Sequence, residues 1–168
     1  MISHGKPEEL EEILELTRAC GQHMRENGID QWDENYPDLV SLKHDIVTNT
    51  LFAYRENGHV VGIVVLNETQ DPEYTEINWS TSEEQRNLVV HRLAVSPDQQ
   101  GKGIARKIMD FAEDWARKNN FDAIRLDTFS QNPRNQRFYK NRGYTELGSV
   151  YLSYKKEYPY FCYELILQ

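Results

Sequence analysis

The chain has 168 residues and a formal net charge of −8, with 39% hydrophobic and 27% charged residues. That length suits one domain with a buried core, the composition excludes a disordered or collagen-like chain, and the acidity argues against a general nucleic-acid binder. No apolar run approaches a membrane span and Met1 to Gly21 is too charged for a signal peptide, so a cytoplasmic protein without a membrane partner is expected.

In chain order, Pro7 followed by Glu8 and Glu9 opens a helix with Leu10, Ile13, Leu14, Cys20 and Met24 on its apolar face, and Asn27-Gly28 ends it. The loop Ile29 to Pro37 carries Trp32 and Tyr36. A second helix is predicted from Asp38 to about Asn49, burying Leu39, Leu42, Ile46 and Val47. Leu51 to Arg55 and Val60 to Leu66 flank Asn57-Gly58, a strong hairpin signal. Asn67 to Glu84 is polar and irregular, with a short strand expected around Glu76 to Trp79. Leu88 to Val95 is an apolar strand interrupted by His91 and Arg92. A helix follows over Gly103 to Asn120, a strand over Ala123 to Phe129, and a helix opened by Asn132-Pro133 that stops at Gly143. Two aromatic strands, divided around Lys155 to Pro159, complete the chain. The order predicts a mixed α/β sheet with a parallel pair at its centre, in a single domain over residues 1–168.

Charge is uneven. From Gln100 to Arg142 there are 10 Lys/Arg against 5 Asp/Glu, in a chain that totals 19 against 27. A basic segment in an acidic protein suits a small polyanion held locally. Within it, Gln100-Gly101-Lys102-Gly103-Ile104-Ala105 joins a strand end to a helix start. Gly101 and Gly103 permit unusual dihedrals, the unpaired N–H groups of the helix start face an anion, and Lys102 and Arg106 add charge. It is not a P-loop, because Gly101-Lys102 is followed by Gly103 and not by Ser or Thr. The dinucleotide fingerprint wants a small residue where Arg106 stands. Cys20 and Cys162 lie far apart with no CxxC pair to bind metal, so no metal is expected and both are expected as core residues.

With its neighbours, this turn resembles the GNAT superfamily of acetyl-CoA-dependent N-acetyltransferases. Gln100, Gly103 and Ala105 match that family's pyrophosphate motif, and His91-Arg92-Leu93-Ala94-Val95 is similar to the end of its fourth strand. Asn132 and Tyr139, within Phe138-Tyr139-Lys140-Asn141-Arg142-Gly143-Tyr144, resemble its Asn…Tyr helix, with Tyr144 replacing the usual Phe. The resemblance covers about Leu88 to Tyr144. It implies the GNAT fold: a mixed, mostly antiparallel sheet, a central parallel strand pair that splays, and helices on both faces.

The resemblance also implies acetyl-CoA as cosubstrate. Leu93, Ala94 and Val95 would pair with the pantetheine through backbone groups, and Gln100, Gly101, Lys102, Gly103, Ile104, Ala105 and Arg106 would hold the pyrophosphate. Asn132 would contact the pantetheine or order its loop. The Val95 N–H would face the thioester carbonyl and the Tyr139 phenol would protonate the departing thiolate. His91 is the candidate general base, because imidazole accepts a proton near neutral pH, and Glu76 with a water relay is the next. Arg92 and Asp127, on adjacent predicted strands, are expected to pair. Trp32, Tyr36, Glu76 and Tyr160 are the candidates for binding a small primary amine, since aromatics with acids suit an organic cation. Two alternatives stay open: a protein N-terminal or lysine acetyltransferase, and a non-catalytic acyl-CoA-binding regulatory module. Homodimerisation through the aromatic strand Tyr158 to Leu167 is a further possibility, the alternative being that this strand lies inside the sheet.

Overall fold

In the computed structural model, which describes residues 1–168 apart from the side chain of Lys156, the chain forms β1 (Ile2–His4), α1 (Leu10–Glu26), α2 (Leu39–Val47), β2 (Leu51–Glu56), β3 (His59–Asn67), β4 (Asn87–Val95), α3 (Ile104–Lys118), β5 (Ala123–Phe129), α4 (Pro133–Asn141), β6 (Thr145–Leu152) and β7 (Lys155–Ile166). The strand order is β1-β2-β3-β4-β5-β7-β6. β4 and β5 run parallel, from Asn87↔Ala123 to Val89↔Arg125, while the β1–β2, β2–β3, β5–β7 and β6–β7 pairs are antiparallel. This is the mixed α/β sheet with one parallel pair that the sequence predicts.

Two compact units make up the chain, Met1–Leu66 with Val90–Glu113 and Asn67–Val89 with Asp114–Gln168. In the first, Asn57 (φ 52°) and Gly58 (φ 81°) are both left-handed, as a two-residue hairpin turn requires. Leu51 and Ala53 of β2, with Ile63 and Val65 of β3, share a core with Ile13, Leu14 and Leu16 of α1 and with Leu42 and Ile46 of α2. On the opposite face Phe52 meets Phe111 of α3 (ring centroids 5.0 Å apart). Gly62 is what lets α3 sit so close there, because a Cβ would stand 2.7 Å from Ile108 Cδ1. Helices therefore cover both faces of β2 and β3.

Three expectations change here. β1 is an addition, a three-residue edge strand on β2 too short to show a periodicity. In α2, Leu39 and Val47 are exposed (41% and 67%), because this short helix turns only Leu42, Asp45 and Ile46 inward. The strand expected at Glu76 to Trp79 is replaced by a 3-10 turn over Pro72–Glu76.

In the second unit β7 lies between β5 and β6 and pairs with both. From Tyr160 to Glu164 both its edges are taken, so this stretch lies inside the sheet. Lys155 to Pro159 is not a connection but the start of β7: Leu152 pairs with Lys155, leaving Ser153-Tyr154 as the turn.

Candidate active site

In the first unit β4 changes character at Arg92. This residue is left-handed (φ 52°) in the middle of a strand, an uncommon conformation for anything but glycine. An extended strand cannot continue its regular ladder through such a residue, so the direction of β4 is reset before Leu93, Ala94 and Val95. The strand end is then fixed from both sides. The Val95 carbonyl accepts from Cys20 Sγ (3.1 Å) and from Gln100 Nε2 (3.0 Å), and Ser96 N–H donates to Val61 O (2.9 Å). Burial pushes the Cys20 thiol up to about 12, so it serves as a proton-bearing donor to that carbonyl and not as a nucleophile.

The turn that follows is shaped by backbone. Gly101 and Gly103 both have φ of 80°, and a Cβ at either would meet nothing within 4 Å. Glycine is needed there for its dihedral, not for want of space. Lys107 N–H makes a bond to Gly103 O (3.1 Å), so the amides of Ile104, Ala105 and Arg106 precede the first internal bond of α3. Ile104 is buried beneath the turn, and Lys102 and Arg106 are exposed on it. Together these amides, the helix dipole and two cations make the turn electropositive, an arrangement chemically suited to a phosphate group. Gln100, expected at the pyrophosphate, turns its side-chain amide back onto β4.

Arg92 does not pair with Asp127. Its guanidinium bonds Asp45 Oδ2 of α2 (2.9 Å) and lies 5.4 Å from the centroid of Tyr36. Asp45 shares the inward face of α2 with Leu42 and Ile46, and burial raises its pKa against the pull of Arg92. Tyr36 is half-buried and stands edge-on to Trp32 (6.0 Å), which is itself only 8% exposed and part of the core. His91 is half-buried on β4 beside Arg92.

In the second unit Asn132 caps α4, its Oδ1 accepting from Asn135 N–H (3.2 Å). Tyr139, in the last turn of that helix, is 5% exposed and packs against Tyr144 (5.8 Å) and Tyr163 (6.1 Å). Burial, with the Asp127 charge second, holds its hydroxyl well above the usual phenol range, so it stays protonated at neutral pH. Tyr160 is buried against Phe129 (5.3 Å), and Glu76 is exposed at the end of its 3-10 turn.

One face of β5 and β7 carries a charged ladder that the sequence pattern did not reveal. Arg125 is fully buried, bonded to Glu164 (3.2 Å), Glu83 (3.0 Å), Gln70 (2.8 Å) and the Thr81 carbonyl (2.8 Å), with Trp79 under its guanidinium (4.5 Å). Two residues on, Asp127 Oδ2 accepts from the hydroxyl of the buried Tyr74 (2.6 Å). The available signal was two charges at alternate positions in an apolar strand, which places both on one face. Cys162, opposite Asp127 on β7, is buried and its thiol is pushed far above its ordinary range.

A mixed sheet with one short parallel pair, a left-handed residue within β4, and a glycine-shaped helix start after it are the features that the comparisons with known proteins bear on. Residues 10–144 match the acetyltransferase (GNAT) family, and the chain belongs to that family, which makes it an acyltransferase with acetyl-CoA as donor. It is 24% identical over 155 residues (89% of this chain, 86% of the relative) to an uncharacterised N-acetyltransferase, YesJ, of Bacillus subtilis (strain 168). A GNAT-family acetyltransferase from Streptococcus agalactiae 2603 superposes with a TM-score of 0.84 at 22% identity, covering 100% of this chain and 95% of that one. An N-acetyltransferase, PaiA, from Thermoplasma acidophilum, solved in complex with coenzyme A, superposes with a TM-score of 0.77 at 18% identity, covering 99% and 98%. Among the described residues no group of three or more His, Cys, Asp or Glu is placed to hold a metal ion, and no helix is long and apolar enough to cross a membrane.

Proposed function

We propose that the chain works as one acetyltransferase domain over residues 1–168 and transfers the acetyl group of acetyl-CoA to the primary amine of a small molecule. The amine attacks directly in a ternary complex. The observation that carries the donor half is the turn from Val95 to Arg106, whose glycine dihedrals and unbonded helix amides suit a pyrophosphate. Leu93, Ala94 and Val95 offer backbone groups to the pantetheine, and the Cys20 and Gln100 bonds to Val95 O keep that strand end in place. Asn132 orders the start of α4, and the Tyr139 hydroxyl protonates the departing thiolate. A raised phenol pKa suits that role, because the group keeps its proton until a strong base forms beside it.

Trp32, Tyr36, Glu76 and Tyr160 remain the candidates for the acceptor. A small cationic amine is favoured over a peptide because β5 and β7 present Asp127, Phe129, Tyr158 and Tyr160 on one face, a carboxylate beside aromatic rings. The acceptor ammonium must lose a proton before it can attack. His91 is the residue that the sequence offers for this, and Glu76, being exposed, is the weaker alternative.

Thiol release with acetyl-CoA across a panel of small amines, amino acids and peptide N-termini tests the reading. Turnover with a small amine, falling roughly 10²-fold in Tyr139→Phe with little change in acetyl-CoA affinity, is expected. Turnover with peptides alone would move the acceptor class. Tight acetyl-CoA binding without turnover on any amine would leave a binding module.

A further inference from the structure

Asp127 meets the requirements of a proton acceptor better than either residue chosen from the sequence. It lies on β5 with Arg125 and Phe129 on its own face, while α4 packs Tyr139 against Tyr163, which is paired with Leu126 and belongs to the other face. The carboxylate is only half-buried, but its setting is fixed: Tyr74, fully buried, donates to Oδ2 at 2.6 Å, and Oδ1 has no hydrogen-bond partner among the described residues. The groups acting on Asp127 and on its hydrogen-bond partner are Tyr74, Asp71 and Glu73 from the 3-10 turn and the segment before it, Cys162 from β7, and Tyr139 from α4. None of them is a cation. Among the described residues Asp127 therefore has no ion-pair partner to hold it charged, unlike Arg125 two residues away.

We infer that Asp127 is the general base: its Oδ1 takes the proton of the acceptor's ammonium, while Tyr139 serves the leaving thiolate. This inference rests on the acetyltransferase reading above. Asp127 removes one proton from R–NH3⁺, and the lone pair of R–NH2 attacks the thioester carbonyl carbon. The C–N bond forms, the C–S bond breaks, and the sulfur departs with that bond's electron pair and takes the Tyr139 proton. The second nitrogen proton restores the phenol, and Asp127 releases its proton to water. The two residues are also coupled. The Asp127 charge opposes ionisation of Tyr139, so protonating Asp127 removes that opposition just before Tyr139 must give up its proton. Burial first, with Asp71 and Glu73 behind it, pushes the Asp127 carboxyl up to about 6, against the Tyr74 hydrogen bond, which places its titration where a base is useful.

The test measures kcat against pH for Asp127→Asn, Tyr74→Phe and His91→Ala with two amines, one strongly basic and one weakly basic enough to be neutral at the assay pH. For the basic amine, Asp127→Asn should lose roughly 10²-fold or more and its acidic limb. For the neutral amine, which needs no base, the loss should be several-fold at most. Tyr74→Phe should move the limb to higher pH, because the bond it removes favours the carboxylate, and His91→Ala should leave the limb in place. An Asp127→Asn enzyme that keeps its acidic limb, or loses rate equally with both amines, overturns the role, as does disappearance of the limb in His91→Ala. A wild-type enzyme inactive on every amine sinks the acetyltransferase reading as well, and so is told apart from these.

Discussion

The β4–α3 turn and the charged face of β5 are both polar sites on the sheet, built in opposite ways. The turn is made of backbone: two left-handed glycines and the first amides of a helix, with Lys102 and Arg106 exposed at its margin. The β5 face is made of side chains. Arg125 is buried and satisfied by at least four partners, while Asp127, two residues along, has one hydrogen bond and no counter-ion among the described residues. The difference separates tasks. Backbone amides suit a cosubstrate whose phosphates are always the same, whereas protonation chemistry needs a side chain whose pKa its surroundings can set.

The comparison is most strongly tested at Arg125. Arg125→Met removes the cation and leaves the 1%-exposed side chain of Glu164 without its ion-pair partner, so a loss of about 3–5 kcal/mol is expected. Denaturant unfolding reads it, and a loss under about 1 kcal/mol would mean that the ladder does not anchor this face of the sheet.

Asp127→Asn should have the opposite sign. The folded carboxyl titrates near 6, above its ordinary value of 3.8, so the folded state binds that proton more tightly than the unfolded chain does. Ionised Asp127 therefore costs stability above pH 6, and the cost fades as pH falls from 6 towards 4. The variant should be more stable than wild type at pH 8, by roughly 2 kcal/mol since the group is half-buried, with the gap closing by pH 4. Melting curves at several pH values check it. A site that is more stable without its charge is one where the charge serves something other than the fold.

The smallest effect is expected at the turn. Gly103→Ala forces a Cβ into left-handed backbone, costing about 1–2 kcal/mol. Because the added methyl meets no protein atom, the cost should appear as weaker acetyl-CoA binding, about tenfold by calorimetry, with a small change in melting temperature. A binding loss without strain, reproduced by removing Lys102 or Arg106, would show that side-chain charge builds the site after all.

Legibility in the sequence follows the same division. Asn57-Gly58, Gly101, Gly103 and the Asn132-Pro133 cap could be placed directly, because a local dihedral or a cap needs only its own few residues. β1 was invisible, since three residues on an edge carry no period. Lys155 to Pro159 looked like a connection because charge and proline interrupt the aromatic run, yet the register Leu152↔Lys155 makes it strand. Arg92 and Asp127 were recognised as buried charges and paired with each other, whereas the fold gives Arg92 to Asp45 and Asp127 to Tyr74.

What the sequence alone determined about this protein is the mixed sheet, the glycine turn before α3 and the Asn132…Tyr139 helix, because each is specified by residues near one another in the chain. What only the tertiary structure decided is which charge meets which partner. Asp45 lies 47 residues from Arg92 and Tyr74 lies 53 from Asp127, separations over which no periodicity or spacing carries information. A buried charge takes whichever partner the folded chain brings within hydrogen-bond reach. The same physics sets the protonation behaviour of Asp127, which depends on burial and on Tyr74, Asp71 and Glu73, none of which is written in the strand that carries it.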